Sequence, residues 1–113
     1  MSLDEWLDTS PPQERPVAER LVEVVDRLPE AWVEPVQVGL FIKRRSSFAQ
    51  LRTMTQWTAL SLKLTREVTR PEPSRKVSRQ GSRHHHVYNL HHPNDLTPDL
   101  VELLTEAYEA DGR

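Results

Sequence analysis

Hydrophobic positions along the chain change their period twice. Val17, Leu21, Val24, Val25 and Leu28 fall at i, i+4, i+7, i+8 and i+11 with charged residues between them, the single stripe of an amphipathic helix. Pro16 suits its first turn and Pro29 stops it. Ahead of it, Ser2-Leu3-Asp4-Glu5 has the form of a capping box. That box predicts a short helix through Leu7, which Trp6 can dock and Thr9-Ser10-Pro11-Pro12 ends. From Val36 the period becomes two. Val36, Val38, Leu40 and Ile42 alternate with Gln37, Gly39, Phe41 and Lys43, which predicts a strand with one apolar face. Phe48 to Met54 reads as a second strand of mixed patterning. The third sets Thr58, Leu60, Leu62 and Leu64 against Trp57, Ala59, Ser61 and Lys63. Arg83 to Leu90 supplies a fourth. The helical period returns near the end: Thr97 caps, Pro98 takes the first position, and Leu100, Leu103, Leu104 and Ala107 form the stripe.

This order predicts an α+β fold. An antiparallel sheet of three to four strands carries N-terminal and C-terminal helices packed on one face. The 113 residues suit one domain. It divides into a helical segment over residues 1–30, a basic strand region over 34–92 and a C-terminal helix over 97–110. Within the strand region, residues 66–82 hold Pro71, Pro73, Gly81 and five basic residues with no apolar period, and are expected to form a long loop.

Composition narrows the function classes. With 36% hydrophobic residues the core is thin. The absence of cysteine excludes disulfides, thiolate catalysis and cysteine-ligated metals. No apolar run approaches the roughly 20 residues that span a bilayer, and the acidic start lacks the form of a signal peptide. A cytoplasmic location without membrane association is the expectation.

Charge is the feature that composition conceals. The formal net charge is −2. Residues 1–42 hold nine acidic and three basic side chains, giving −6. Residues 43–92 hold eleven basic and two acidic, giving +9, and residues 93–113 hold six acidic and one basic, giving −5.

Catalytic chemistry finds little purchase. All five histidines lie between positions 84 and 92. On a strand, His84 and His86 share one side at a spacing that suits a common divalent ion or a pocket. A catalytic zinc site needs a third protein ligand, and no HExxH pair supplies it. The alternative is that these histidines are partly exposed strand and turn residues. No GxSxG elbow occurs, and the three scattered glycines form no phosphate cradle. No metal, cofactor or catalytic residue is expected.

The basic middle is the stronger lead. Lys43, Arg44 and Arg45 form one cluster, while Arg75, Lys76 and Arg79 lie in the long loop. Trp57 and Phe41 share the polar strand face with Lys43 and Lys63. Cations beside flat rings are what single-stranded nucleic-acid binders present. Against this, acidic helices laid beside a basic sheet neutralise it internally, and the pI near 6.2 lies below that of dedicated nucleic-acid binders.

Four short motifs carry a resemblance. They are Val38-Gly39-Leu40-Phe41-Ile42-Lys43-Arg44-Arg45-Ser46-Ser47-Phe48-Ala49-Gln50-Leu51, then His86-Val87-Tyr88-Asn89-Leu90, Pro93-Asn94-Asp95-Leu96 and Leu104-Thr105-Glu106-Ala107-Tyr108. Their order and spacing over roughly positions 14–110 resemble an uncharacterised bacterial family, domain of unknown function fifty-six fifty-five. The resemblance implies a small α+β domain and brings no activity, cofactor or catalytic residue. Members often carry a lysine where Gln37 stands and an acid where Thr97 stands, so roles resting on those charges do not carry over. It singles out Phe48 and Tyr108, expected to pack, and His86, which is either a structural hydrogen-bonding group or a pocket residue.

The leading expectation is a non-enzymatic binding module. Its basic residues Lys43, Arg44, Arg45, Lys63, Arg75, Lys76 and Arg79, with Trp57 as the stacking ring among them, would meet nucleic acid or an acidic protein. The alternative is an accessory or oligomerising domain with no nucleic-acid role. A histidine-dependent enzyme or metal site at His84 and His86 comes third.

Overall fold

Strand β4 (Thr58–Leu64) follows its alternation: Thr58, Leu60, Leu62 and Leu64 are buried, while Ser61 and Lys63 opposite them are partly exposed. The remaining strands are β1 (Trp32–Val36), β2 (Gly39–Lys43), β3 (Ser47–Thr53), β5 (Ser78–Gln80) and β6 (Arg83–Leu90). In the computed structural model, which describes residues 1–113, they form one antiparallel sheet ordered β1-β2-β3-β4-β6-β5. The helices are α1 (Leu3–Thr9), α2 (Arg15–Val25) and α3 (Pro98–Asp111). Ser2 and Thr97 cap α1 and α3 by accepting from Glu5 N–H and Leu100 N–H, the bonds their sequences predict. No helix is long and apolar enough to cross a membrane.

Register explains the core. Ile42 pairs with Ala49, Leu40 with Leu51, Leu51 with Leu60, and Leu60 with Tyr88, and cross-strand partners share a face. These residues join the stripes Val17/Leu21/Val24/Val25 and Leu100/Leu103/Leu104/Ala107 in one cluster of 23 buried residues. Phe48 and Tyr108 belong to it, their rings edge to face at 5.9 Å.

The sheet is wider than the three to four strands expected. The alternation from Val36 to Lys43 is broken by a hairpin. Val36 ends β1, Gly39 begins β2 and pairs back with it, and Val38 is 46% exposed at the bend. Upstream, β1 includes Pro35 and has no fully buried residue, which suits an edge strand and weakens its sequence signal. At the other edge, β5 is three exposed polar residues inside the expected loop 66–82. Its only signal is backbone pairing with β6. Helix α2 also ends at Val25, short of Leu28, which follows in a turn.

The β2–β3 turn is anchored to the end of α3. Asp111 accepts from the backbone N–H groups of Arg45 (2.8 Å) and Ser46 (3.0 Å) and from the Ser46 hydroxyl. Burial pushes its carboxyl up, but these bonds outweigh it and hold the group below the usual range. Asp111→Asn is therefore expected to cost about 1–2 kcal/mol in denaturant unfolding at neutral pH. The deficit should shrink below pH 3.8, where wild type loses the same charged bonds on protonation. A deficit that persists unchanged in acid would show that the charge is not what holds the turn.

Candidate functional site

The helices cover one side of the sheet. On the other side, Phe41 pairs with Gln50, Gln50 with Ser61, Ser61 with Val87, and Lys63 with His85, so all six side chains share that face. Arg52 lies on it opposite Gly39, and Ser78 extends it onto β5. The segment before β5 brings Arg75 to it. Together they line a concavity of about 590 Å³.

Its charge is one-sided. The lining holds Arg52, Lys63, Arg75 and His85, and no aspartate or glutamate. None of these four joins the ion pairs of the domain. Burial pushes the His85 imidazole below its usual pKa, with nearby Lys63 and His86 adding to the effect. A lowered pKa leaves the ring neutral at pH 7, so the standing positive charge of the concavity comes from Arg52, Lys63 and Arg75. Phe41 and Val87 provide partly exposed apolar surface between the cations. Trp57 lies beyond this concavity, just before β4, half-buried against His91 at 6.0 Å, with its indole N–H unpartnered.

The expected basic cluster divides into three groups. Lys63 and Arg75 meet in the concavity, whereas Lys43 and Arg44 are occupied within the fold. Lys43 Nζ lies 2.7 Å from Glu34. The Arg44 guanidinium lies 4.2 Å from the centre of the Tyr108 ring and donates to the Tyr108 carbonyl at 3.3 Å. Arg45, Lys76 and Arg79 are exposed, and the Arg79 side chain donates to the Gly81 carbonyl at 3.1 Å. In the loop, Arg66 makes a two-pronged bond to Glu106 at 2.9 and 3.0 Å.

The two pocket candidates have different fates. His86 is fully buried. Its Nε2 accepts from the Val68 N–H at 2.8 Å, and its Nδ1 lies 3.1 Å from the His84 carbonyl oxygen. Those partners fix a neutral ring with the proton on Nδ1, donated to His84. Burial pushes its pKa down, chiefly by desolvation. With both nitrogens engaged, His86 cannot share an ion with His84. No group of three or more candidate ligands gathers elsewhere. The histidine on the open face is His85, which sequence reasoning passed over. Part of the signal was available: alternation puts His85 on the strand face opposite His84 and His86, but its pairing to Lys63, which places it among the cations, is seen only in the fold.

No curated protein and no solved structure matches the chain. One family matches residues 4–111, nearly the whole length, under the description domain of unknown function (DUF5655). The matched span includes all three helices and all six strands but for the first residue of α1, and the chain belongs to that family.

Proposed function

We propose that this domain is a non-enzymatic binding module whose uncovered sheet face takes an anionic partner. The observation that carries this reading is the concavity lined by Arg52, Lys63, Arg75 and His85 with no acidic side chain. Single-stranded nucleic acid fits its chemistry best: phosphates reach the cations while a base lies against Phe41. An acidic protein segment would use the same cations without needing the ring.

Lys63→Glu combined with Arg75→Glu is expected to weaken binding of a labelled single-stranded RNA at least about tenfold, the effect of losing two phosphate contacts and adding repulsion. Thermal unfolding of the double variant should stay near wild type, because neither side chain has an ion-pair or hydrogen-bond partner to lose. Unchanged RNA affinity in a folded double variant overturns the site. Arg79→Ala should have a smaller effect, since that side chain lies on the edge strand outside the concavity.

A second reading, an accessory domain without nucleic-acid role, is favoured by the pairs Lys43–Glu34, Arg44–Glu30 and Arg66–Glu106. Some of the +9 segment is neutralised within the domain. A histidine-dependent reaction has less support, because His86 is committed to the backbone.

A further inference from the structure

The domain buries three polar or charged side chains: Glu14, Thr58 and His86. Thr58 donates to the Leu90 carbonyl, and His86 bonds Val68 and His84. Glu14 is different. It is 2% exposed, its Oε2 is shielded and has no hydrogen-bond partner, and it joins none of the ion pairs. The other shielded atoms without a partner, Trp57 Nε1 and Asn89 Oδ1, belong to half-buried side chains, so of the three buried residues only Glu14 is left with a free polar atom. Such a group is costly unless a partner arrives.

The backbone holds it there. Glu14 precedes α2 with its own dihedrals already helical, and its side chain makes no capping bond. Its N–H donates to the Pro11 carbonyl and its carbonyl accepts from Ala18 N–H, both at 2.9 Å. The carboxyl therefore serves neither the helix nor a neighbour. It contributes to the wall of a cleft of about 650 Å³ between the end of α1 and the β1–β2 hairpin, with Trp6, Ser10, Gln37 and Thr53 among the other walls.

The cleft offers acceptors. Thr9 and Ser10 line it, and both hydroxyls donate back to carbonyls of α1, at 3.0 and 2.7 Å for the shortest bonds. Their lone pairs remain for a ligand. No lysine, arginine or histidine side chain lines the cleft, and the one cationic group among its lining residues is the α-amino group of Met1, 74% exposed, so an anion finds little counter-charge. With Glu14 the one carboxylate among the lining residues and no group of three or more ligating side chains, a divalent metal is poorly served as well. A carboxylate beside an indole suits a cation that carries several N–H donors and an apolar stem.

We propose that this cleft binds an alkylammonium or guanidinium group, its charge on Glu14 and its stem against Trp6. The site lies at the helical end of the β1–β2 hairpin, separate from the cationic sheet face, and its occupancy is independent of that reading. The group could come from a small amine or from a lysine or arginine side chain of a peptide.

The test is a two-dimensional NMR titration of the isotope-labelled full chain with n-butylammonium and n-butylguanidinium, and with n-butanol and butyrate as uncharged and anionic controls. A capped Gly-Lys-Gly peptide forms a further arm. Saturable shifts of the Trp6 indole and of the Ser10 and Thr53 amides are expected from the cations alone. Glu14→Gln should weaken them at least about tenfold. Gln37→Lys, a substitution at an exposed position, sets a competing charge at the mouth and should weaken them also. It keeps the test decisive if Glu14→Gln does not fold. A peptide that binds as tightly as the free amine assigns the source to a partner's side chain, and a weaker peptide assigns it to a small molecule. No saturation by about 50 mM, equal shifts from butanol, or unchanged affinity in the folded variants overturns the proposal.

Discussion

Gly39→Ala is expected to destabilise the domain by about 3 kcal/mol or more, near the upper end for a single methyl group. Gly39 starts β2 with φ +155°, and a Cβ built there overlaps the Leu51 carbonyl and comes within 3.0 Å of the Arg52 Cα. The obstacle is the backbone of β3, which cannot rotate aside as a side chain can. Relief requires β2 and β3 to separate where Gly39 pairs with Arg52, next to Leu40 and Leu51 in the core. Gly81→Ala is the control. Its φ is +61° with nothing within 4 Å of the new carbon, so only the backbone preference is lost, about 1 kcal/mol. Urea unfolding of both variants checks the difference. Equal costs would mean that close approach at Gly39 contributes nothing.

The second large effect is at His86. His86→Ala should cost about 3 kcal/mol, from a cavity under the sheet and a Val68 N–H left without its acceptor. Val68 is itself 4% exposed, so water does not readily replace the ring. His84→Ala, at a partly exposed position, should cost well under 1 kcal/mol. The same burial predicts a pH dependence. Both His85 and His86 have folded pKa values below the ordinary 6.5. Above 6.5 these rings are neutral in either state. As pH falls below 6.5, the unfolded chain takes protons that the folded domain refuses, and stability declines towards the folded pKa values. The slope is at most about 1.4 kcal/mol per pH unit for each ring. Wild type should lose stability between pH 7 and pH 5, and His86→Gln should lose less across that interval. Parallel pH profiles would show that His86 does not carry the proton linkage.

Much of the frame was legible because the apolar period is strong where the core is. The stripes of α2 and α3 and the alternation of β4 each have one solution that buries leucine and valine. Capping at Ser2 and Thr97 was equally readable, since a hydroxyl before a first turn has a local partner. The edges were not. β5 is Ser-Arg-Gln and β1 contains a proline, so both exist through pairing with a neighbour and not through their own patterning. The hairpin at Gly39 was hidden by an accident of parity. Val36 and Val38 continue the alternation of Leu40 and Ile42, although the chain reverses between them.

The candidate face was half legible for a related reason. Strand parity alone put Lys63 and Phe41 together, but Arg52 and His85 join them only once β3 and β6 are known to flank β4. Charge counts could not show that Lys43 and Arg44 are occupied by Glu34, Glu30 and Tyr108, because those contacts link residues up to 64 positions apart. Nor could they single out Glu14 among the nine acids of the first 42 residues. Its burial depends on how α1 folds back over the hairpin.

Whether the uncovered sheet face meets an anion is decided by one titration. Fluorescence anisotropy of a labelled single-stranded RNA should be followed with this domain at several salt concentrations. With Arg52, Lys63 and Arg75 each neutralising one phosphate, log affinity should fall with log salt at a slope of about −2. The Lys63→Glu/Arg75→Glu variant should abolish most of that slope. No binding at low salt, or binding indifferent to salt, would mean that the cations of this face do not meet phosphates.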